Sequence, residues 1–310
     1  MNALERAIVR TLFYGDVFSF PMTAAEIHYY LIEVRATAAE VQQTLAQPSP
    51  DLAQWLIREQ VGSLTCYAIV GRGSIFEARR QREVASQHLW RQARRYGVWL
   101  GYLPFVQMVA LTGALAVRNA GSTDDDLDYL LVVREGRVWL ARLFAVMLVR
   151  LTKLWGVVLC PNYVLAENSL AQDERHLFMA HEITQMVPVV GHRWYHQMRD
   201  ANQWTEVVLP NAQGVFYQEP DQQPRFLGRW LKHSLEWLFG GRWGDALERW
   251  EMQRKIRKFQ PQLLTASEVQ LDEHQVKGHF ISYGQATLER YHARLEAHGL
   301  LNDPAASAAD

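Results

Sequence analysis

The chain has few cysteines, no apolar run long enough to cross a membrane and almost no net charge. Cys66 and Cys160 are its only cysteines in 310 residues, too few for a disulfide framework and consistent with a reducing cytoplasm. The apolar stretch 144–149 lies between Arg142 and Arg150 and is too short to span a bilayer. A net charge of −1 gives no overall attraction to nucleic acid or acidic lipid. The first residues lack the apolar core of a signal peptide. We therefore expect a cytoplasmic protein with no transmembrane segment.

An acidic cluster leads into an apolar strand within residues 109–133. Residues 124–128 read Asp-Asp-Asp-Leu-Asp, and residues 129–133 are bulky and apolar, which predicts a buried strand. Side chains alternate along a strand, so Asp126 and Asp128 are expected on one face. Two neighbouring carboxylates repel each other unless a cation lies between them, and hard oxygen ligands of this kind suit Mg²⁺. A plain acidic turn before a core strand is the alternative.

A glycine turn precedes the acids at Thr112-Gly113-Ala114, after a short apolar run. It is expected to open a short helix whose free N–H groups can hold phosphate. Leu111 or Thr112, Gly113, Ala114 and then Asp126-Leu127-Asp128-Tyr129 together resemble the signature of the DNA polymerase β-type nucleotidyltransferase superfamily. The resemblance implies a nucleoside triphosphate bound at Thr112, Gly113 and Ala114, and Mg²⁺ held by Asp126 and Asp128. Ala114 departs from the signature because it lacks the hydroxyl that a serine would offer to a phosphate.

The resemblance also implies a third carboxylate on a later strand. Residues 157–165 predict that strand, but its central polar residue is Asn162, a weaker metal ligand than a carboxylate. Glu167 follows the strand and is the candidate third catalytic residue beside Asp126 and Asp128. The alternative is that Glu167 caps the next helix.

The first seventy residues predict three helices followed by a β-hairpin that turns at Gly62. Thr23 and Thr37 are expected to cap the second and third helices. This order resembles a winged helix-turn-helix. The third helix offers Gln42, Gln43 and Gln47 but no lysine or arginine, so we favour a packing or protein-contact module over one that reads DNA.

Two further helical regions carry charge or aromatic residues. A long helix over 76–96 is rich in arginine, which predicts a solvated basic stripe or, alternatively, contacts to a polyphosphate. Its arginines are Arg79, Arg80, Arg82, Arg91, Arg94 and Arg95. The helices predicted at 226–239 and 243–259 form an αα-hairpin with four tryptophans, expected to pack in a core or an interface. A base-stacking surface and a membrane-surface role are the alternatives.

The expected fold class is α+β, with a small mixed sheet of the nucleotidyltransferase type. Its parts are a winged-helix-like module at 1–72, a linking helix at 73–108, a nucleotidyltransferase-like domain at 109–220, a helical C-terminal region at 221–302 and a disordered tail at 303–310. The expected function is Mg²⁺-dependent transfer of a nucleoside monophosphate, with ATP as the expected donor, to an unknown hydroxyl acceptor. The alternative is a catalytically weak or inactive regulator that binds nucleotide, protein or DNA.

Overall fold

A computed structural model describes residues 1–222, 226–263, 270–277 and 283–301, and it has a mixed α+β architecture. The predicted tail at 303–310 lies outside the described residues. The helices are α1 (Ala3–Val17), α2 (Ala24–Tyr29), α3 (Ala38–Ala46), α4 (Pro50–Ala53), α5 (Ser74–Gly101), α6 (Gly113–Ala116), α7 (Val138–Lys153), α8 (Leu177–Gln185), α9 (His192–Ala201), α10 (Thr205–Val208), α11 (Phe226–Phe239), α12 (Arg242–Leu263) and α13 (Tyr283–Ala297). The strands are β1 (Met22–Thr23), β2 (Leu56–Val61), β3 (Leu64–Ile69), β4 (Val106–Leu111), β5 (Leu127–Val133), β6 (Leu159–Ala166), β7 (Val187–Val190), β8 (Gln270–Leu271) and β9 (Gln275–Lys277).

The N-terminal region contains the three predicted helices and the predicted hairpin. Thr23 and Thr37 each form a capping box with the glutamate three residues later, which fixes the starts of α2 and α3. Gly62 takes a positive φ of 62° at the turn between β2 and β3. The short strand β1, which the sequence pattern did not predict, pairs with β3 and completes an antiparallel sheet of order β1-β3-β2. The first helix, α1, begins after the capping residue Asn2 and continues to Val17.

The central sheet is mixed and has the order β7-β4-β5-β6-β9-β8. Strands β5 and β6 are parallel, joined by the crossover helix α7, and the other neighbouring pairs are antiparallel. Strands β8 and β9 come from the region predicted to be only helical, so that prediction is corrected. The isolated strands are too short and polar to have shown a period in the sequence.

Both faces of the central sheet are covered, which explains why β5 reads as an almost continuous apolar run. One face packs Leu127, Tyr129 and Leu131 into a core with α5 and α7. The other face packs Leu130 and Val132 against α8 and α9. Even-numbered residues of β5 therefore face α8, and this direction decides what surrounds Asp128.

Three of the predicted parts contribute to one hydrophobic core. Ile8, Phe13 and Val41 of the N-terminal region belong to one cluster with Leu177 of α8 and Leu295 of α13. Tyr14 of α1 also stacks on His181 of α8, with 3.9 Å between the ring centroids. One hydrophobic cluster therefore extends across the boundaries predicted at residues 72 and 221.

Three of the six arginines of α5 pair with carboxylates of other parts of the chain. Arg79 is 1 % exposed and pairs with Glu26 of α2 at 2.9 Å, so it is neither solvated nor directed at a ligand. Arg80 pairs with Glu59, and Arg94 pairs with Glu219. The prediction of a solvated stripe is corrected for Arg79, because a buried carboxylate on a neighbouring helix attracts it.

No helix in the described ranges is long and apolar enough to cross a bilayer.

Candidate functional site

Asp126 and Asp128 line one cavity of about 660 Å³ at the start of strands β5 and β6. Asp126 is exposed just before β5, and Asp128 is half-buried on the strand. The alternation predicted from the sequence therefore brings the two carboxylates to the same side of the sheet. Thr112, Gly113 and Ala114 line the same cavity, so the glycine turn and the acids meet as expected from the sequence.

Gly113 lies directly against Asp128. Its φ is +66°, and a Cβ atom added there would lie 2.6 Å from Oδ2 of Asp128. The backbone N–H of Thr112 donates to the carbonyl of Asp128 at 3.0 Å. Only glycine fits this close approach without displacing the carboxylate. The helix that follows, α6, is a single turn of four residues, so its dipole contributes little to anion binding.

An irregularity in β6 brings neutral polar groups to the two acids. The pairing with β5 shifts between Asp128↔Cys160 and Leu130↔Tyr163, which is the mark of a β-bulge. The Asn162 amide donates to Oδ1 of Asp128 at 2.6 Å, and the Cys160 thiol donates to Oδ2 of Asp126 at 3.3 Å. Asn162 therefore occupies the place beside Asp128 where the resemblance implies a third carboxylate.

The structure brings a different acid, Glu182 of α8, to the cavity. Glu182 is half-buried, lines the cavity and acts electrostatically on Asp128. The side-chain amide of Gln185 donates to its Oε1 at 3.2 Å. From the sequence, His181-Glu182 invites only a comparison with zinc-protease helices, which Gln185 excludes. The remaining signal is a single acid in helix α8, and it does not show which strand the helix covers.

The structure does not bring Glu167 to the other predicted catalytic residues. Its backbone N–H donates to the carbonyl of Val133, and Ala166 pairs with Val133, at the far end of the parallel pair. Val133 lies five positions after Asp128 on β5, which is about 17 Å along the strand at the usual rise per residue. The prediction that Glu167 completes the site is therefore corrected: the chain direction of β6 carries it away from the acids.

Burial and neighbouring charge both oppose ionisation of Asp128. Burial, reinforced by the charges of Glu182, Asp126 and Asp125, raises the pKa of Asp128 to about 7, and the amide of Asn162 acts in the opposite direction. Burial also raises the pKa of Glu182. Among the described residues, no lysine or arginine forms an ion pair with Asp126, Asp128 or Glu182. The nearby Lys277 is held by Glu174 at 2.7 Å.

The donor set meets part of what Mg²⁺ requires. Two carboxylates, Asp126 and Asp128, face the same space without a cationic partner in the described chain. No group of three or more His, Cys, Asp or Glu side chains within the described ranges is arranged to hold a metal ion. Mg²⁺ is commonly bound by one or two carboxylates, with water and substrate phosphates as its other ligands. Within the described residues, Asp126 and Asp128 therefore supply part of such a ligand set, and its other ligands would come from water or a bound molecule.

Other parts of the chain close the cavity. Tyr14 and Phe20 come from the N-terminal region, Phe178 from α8, and Tyr283 and Thr287 from α13. Four of these five side chains are aromatic. The lining thus combines aromatic rings with a few carboxylates, which is a usual composition for a small-molecule site.

Comparison with protein-family models, with curated proteins and with solved structures gave no match for this chain. The functional assignment therefore rests on the residues of the cavity.

Proposed function

We propose that this protein is a metal-dependent nucleotidyltransferase that moves a nucleoside monophosphate from a triphosphate to a hydroxyl acceptor. The observation that carries the proposal is the meeting of Gly113, Asp126 and Asp128 at one cavity, with Gly113 so close to Asp128 that an added Cβ atom would lie 2.6 Å from its carboxylate oxygen. The order of β4, glycine turn, β5 and β6 along the chain supports the proposal. The size of the cavity, about 660 Å³, suits a nucleotide together with part of an acceptor.

In this proposal each residue has a distinct role. Asp126 and Asp128 would hold Mg²⁺, and the backbone around Gly113 would lie against the phosphates. When bound, Mg²⁺ supplies positive charge that compensates the phosphate oxygens. Glu182 takes the proton of the acceptor hydroxyl, whose oxygen bonds to the α-phosphorus while the bond to pyrophosphate breaks. A carboxylate with a raised pKa suits that role, because a base works best when its pKa is near the working pH.

The second candidate is a catalytically weak or inactive regulator that binds nucleotide, protein or DNA. Two observations favour it: Asn162 replaces a carboxylate beside Asp128, and the signature serine is Ala114. The N-terminal region would supply the partner contact, but its third helix exposes glutamines and Glu40 rather than basic residues. A contact with protein therefore fits that surface better than a contact with DNA.

Release of pyrophosphate distinguishes the two candidates. Purified protein would be incubated with each of the four ribonucleoside triphosphates, Mg²⁺ and a panel of sugar, nucleoside and amino-alcohol acceptors. We expect acceptor-dependent release of pyrophosphate, and a mass increase of one nucleoside monophosphate on the acceptor or on the protein itself. Binding of nucleotide without any release would support the regulator. Absence of Mg²⁺-dependent nucleotide binding would contradict the enzyme and would restrict the regulator to one that binds protein or DNA.

A further inference from the structure

A second surface, unconnected with the cavity, lies on the helical hairpin of α11 and α12. The two helices carry five exposed large aromatic side chains, although the chain has a full core elsewhere. These side chains are Phe226, Trp230, Trp237, Trp243 and Trp250. Trp237 is 85 % exposed and Trp243 is 86 % exposed, which is unusual for the largest apolar side chain. The core or interface packing predicted for these tryptophans is thus not a core within the described residues.

The aromatic residues form one stripe on each helix. Trp230 and Trp237 are seven residues apart, and so are Trp243 and Trp250. Seven residues are about two helical turns, so each pair projects from the same side of its helix. The opposite side of α11 holds the hairpin on the body of the protein, where Lys232 donates to the carbonyls of Gly101 and Val106.

The acidic residues of the hairpin all have partners in their own chain. Glu236 accepts from the backbone of Phe105, and Glu248 accepts from the first two N–H groups of α7, Trp139 and Leu140. Asp245 pairs with Arg137, and Glu251 pairs with Arg254. No carboxylate of the hairpin is therefore left to oppose an approaching anion.

The hairpin also carries basic residues. Five exposed cations form no ion pair within the described ranges, namely Arg229, Arg242, Arg249, Arg257 and Lys258. Arg257 lies seven residues after Trp250 and so extends the same stripe, and Arg254 stacks on the ring of Trp250 at 5.2 Å. The hairpin thus presents tryptophan and arginine side by side and no free acid.

We propose that this hairpin docks the protein on an anionic lipid surface. Tryptophan favours the level of the headgroups, where its apolar ring and its N–H both find partners, and arginine binds lipid phosphates bidentately. The centre of an ordinary protein–protein interface is apolar, and its charged residues lie at the rim. Here the exposed rings are interspersed with cations along each stripe, which suits a lipid surface better. The chain's net charge of −1 leaves the hairpin as a local basic surface on a nearly neutral molecule.

Flotation of the full chain with vesicles tests this docking. One set contains phosphatidylcholine alone, and the other contains a quarter phosphatidylserine, both at about 0.1 M salt. We expect binding to the anionic vesicles and at least about tenfold weaker binding to the neutral ones, since each basic residue near such a surface contributes about 1 kcal/mol. Raising the salt to 0.5 M should release the protein, because charge attraction is screened over about 10 Å already at 0.1 M.

Two pairs of variants locate the surface. Trp237→Ser with Trp243→Ser, and separately Arg249→Glu with Arg257→Glu, should each lower binding at least about tenfold. The matched controls are Val207→Ser, an apolar residue of α10 that is 71 % exposed, and Arg58→Glu on β2; both should bind as the parent does. Circular dichroism checks that every variant is folded.

Three results would overturn the docking proposal. They are absence of binding to either vesicle, equal binding to both, or unchanged binding by the hairpin variants. Concentration-dependent association of the free protein in light scattering that the tryptophan variant abolishes, without vesicle binding, would show that the stripes join two copies of the chain instead. Nucleotide binding at the cavity plays no part in any of these outcomes.

Discussion

The acids around β5 and the arginines of α5 are two charged clusters of this chain, and the fold treats Arg79 and the acids in opposite ways. Arg79 is buried against Glu26, and the hydroxyl of Tyr217 donates to the same carboxylate at 3.1 Å. Asp126 and Asp128 face a cavity and receive only the neutral donors Cys160 and Asn162. A charge that is compensated within the chain supports the fold, whereas charges left together without a counterion are available for a ligand. Sequence alone shows both clusters but not which of them is compensated.

The largest effect is expected for Asp128→Asn. The change removes one of two carboxylates from the proposed Mg²⁺ site, and we expect kcat/KM for pyrophosphate release to fall by at least about a thousandfold, roughly 4 kcal/mol. The free energy of unfolding of the unliganded protein at pH 8 should not fall, because the fold opposes ionisation of Asp128. Steady-state kinetics and urea unfolding measure the two quantities. Unchanged kinetics would remove the acid cluster from the chemistry.

Arg79→Ala should behave in the opposite manner. It leaves Glu26 buried without its cation, which is expected to lower the free energy of unfolding by about 3–5 kcal/mol. Nucleotide binding by the fraction that remains folded should be unchanged, because Arg79 does not line the cavity. The double variant Arg79→Met with Glu26→Gln should recover part of the loss. If Arg79→Ala is as stable as the parent, then Arg79 does not compensate the charge of Glu26, and the contrast with the acids around β5 is wrong.

Glu182 and Glu167 provide a matched pair for the catalytic base. Glu182→Gln should lower kcat by about a hundredfold or more, as is typical when a positioned base is lost. Glu167→Gln should change kcat less than twofold, because its backbone is fixed beside Val133 at the far end of the sheet. Side-by-side kinetics at saturating nucleotide decide between them. The reverse ranking would return Glu167 to the site.

His181 gives a smaller, pH-dependent effect. Burial lowers its pKa to about 4, whereas in the unfolded chain an ordinary histidine titrates near 6.5. Between these values only the unfolded state takes up the proton, so the contribution of neutral His181 is complete above about pH 6.5 and is lost as the pH falls towards 4. The loss should reach about 2–3 kcal/mol at pH 4. Urea unfolding from pH 4 to 7 measures it, and His181→Gln should flatten that part of the profile; an equally steep profile in the variant would assign the dependence to other groups.

The parts of the fold that were predictable are those set by local pattern. Alternation placed Asp126 and Asp128 on one side of β5, and the capping residues Thr23 and Thr37 located two helices. The site beyond these two acids depends on long-range pairing. The bulge that turns Asn162 to Asp128, and the helix that brings Glu182 over β5, leave no periodic signal in the sequence. The prediction of Glu167 as a site residue is wrong because alternation shows which face of a strand a residue lies on. It does not show at which end of the sheet the residue lies.

Calorimetric titration with a non-hydrolysable ATP analogue, with and without Mg²⁺, is the most direct measurement of the central claim. We expect the parent protein to bind the analogue only with Mg²⁺, and Asp126→Ala and Asp128→Ala each to abolish that dependence. Binding that is equally tight without Mg²⁺, or unchanged in both variants, would contradict the claim that these two acids share a cation with a bound polyphosphate.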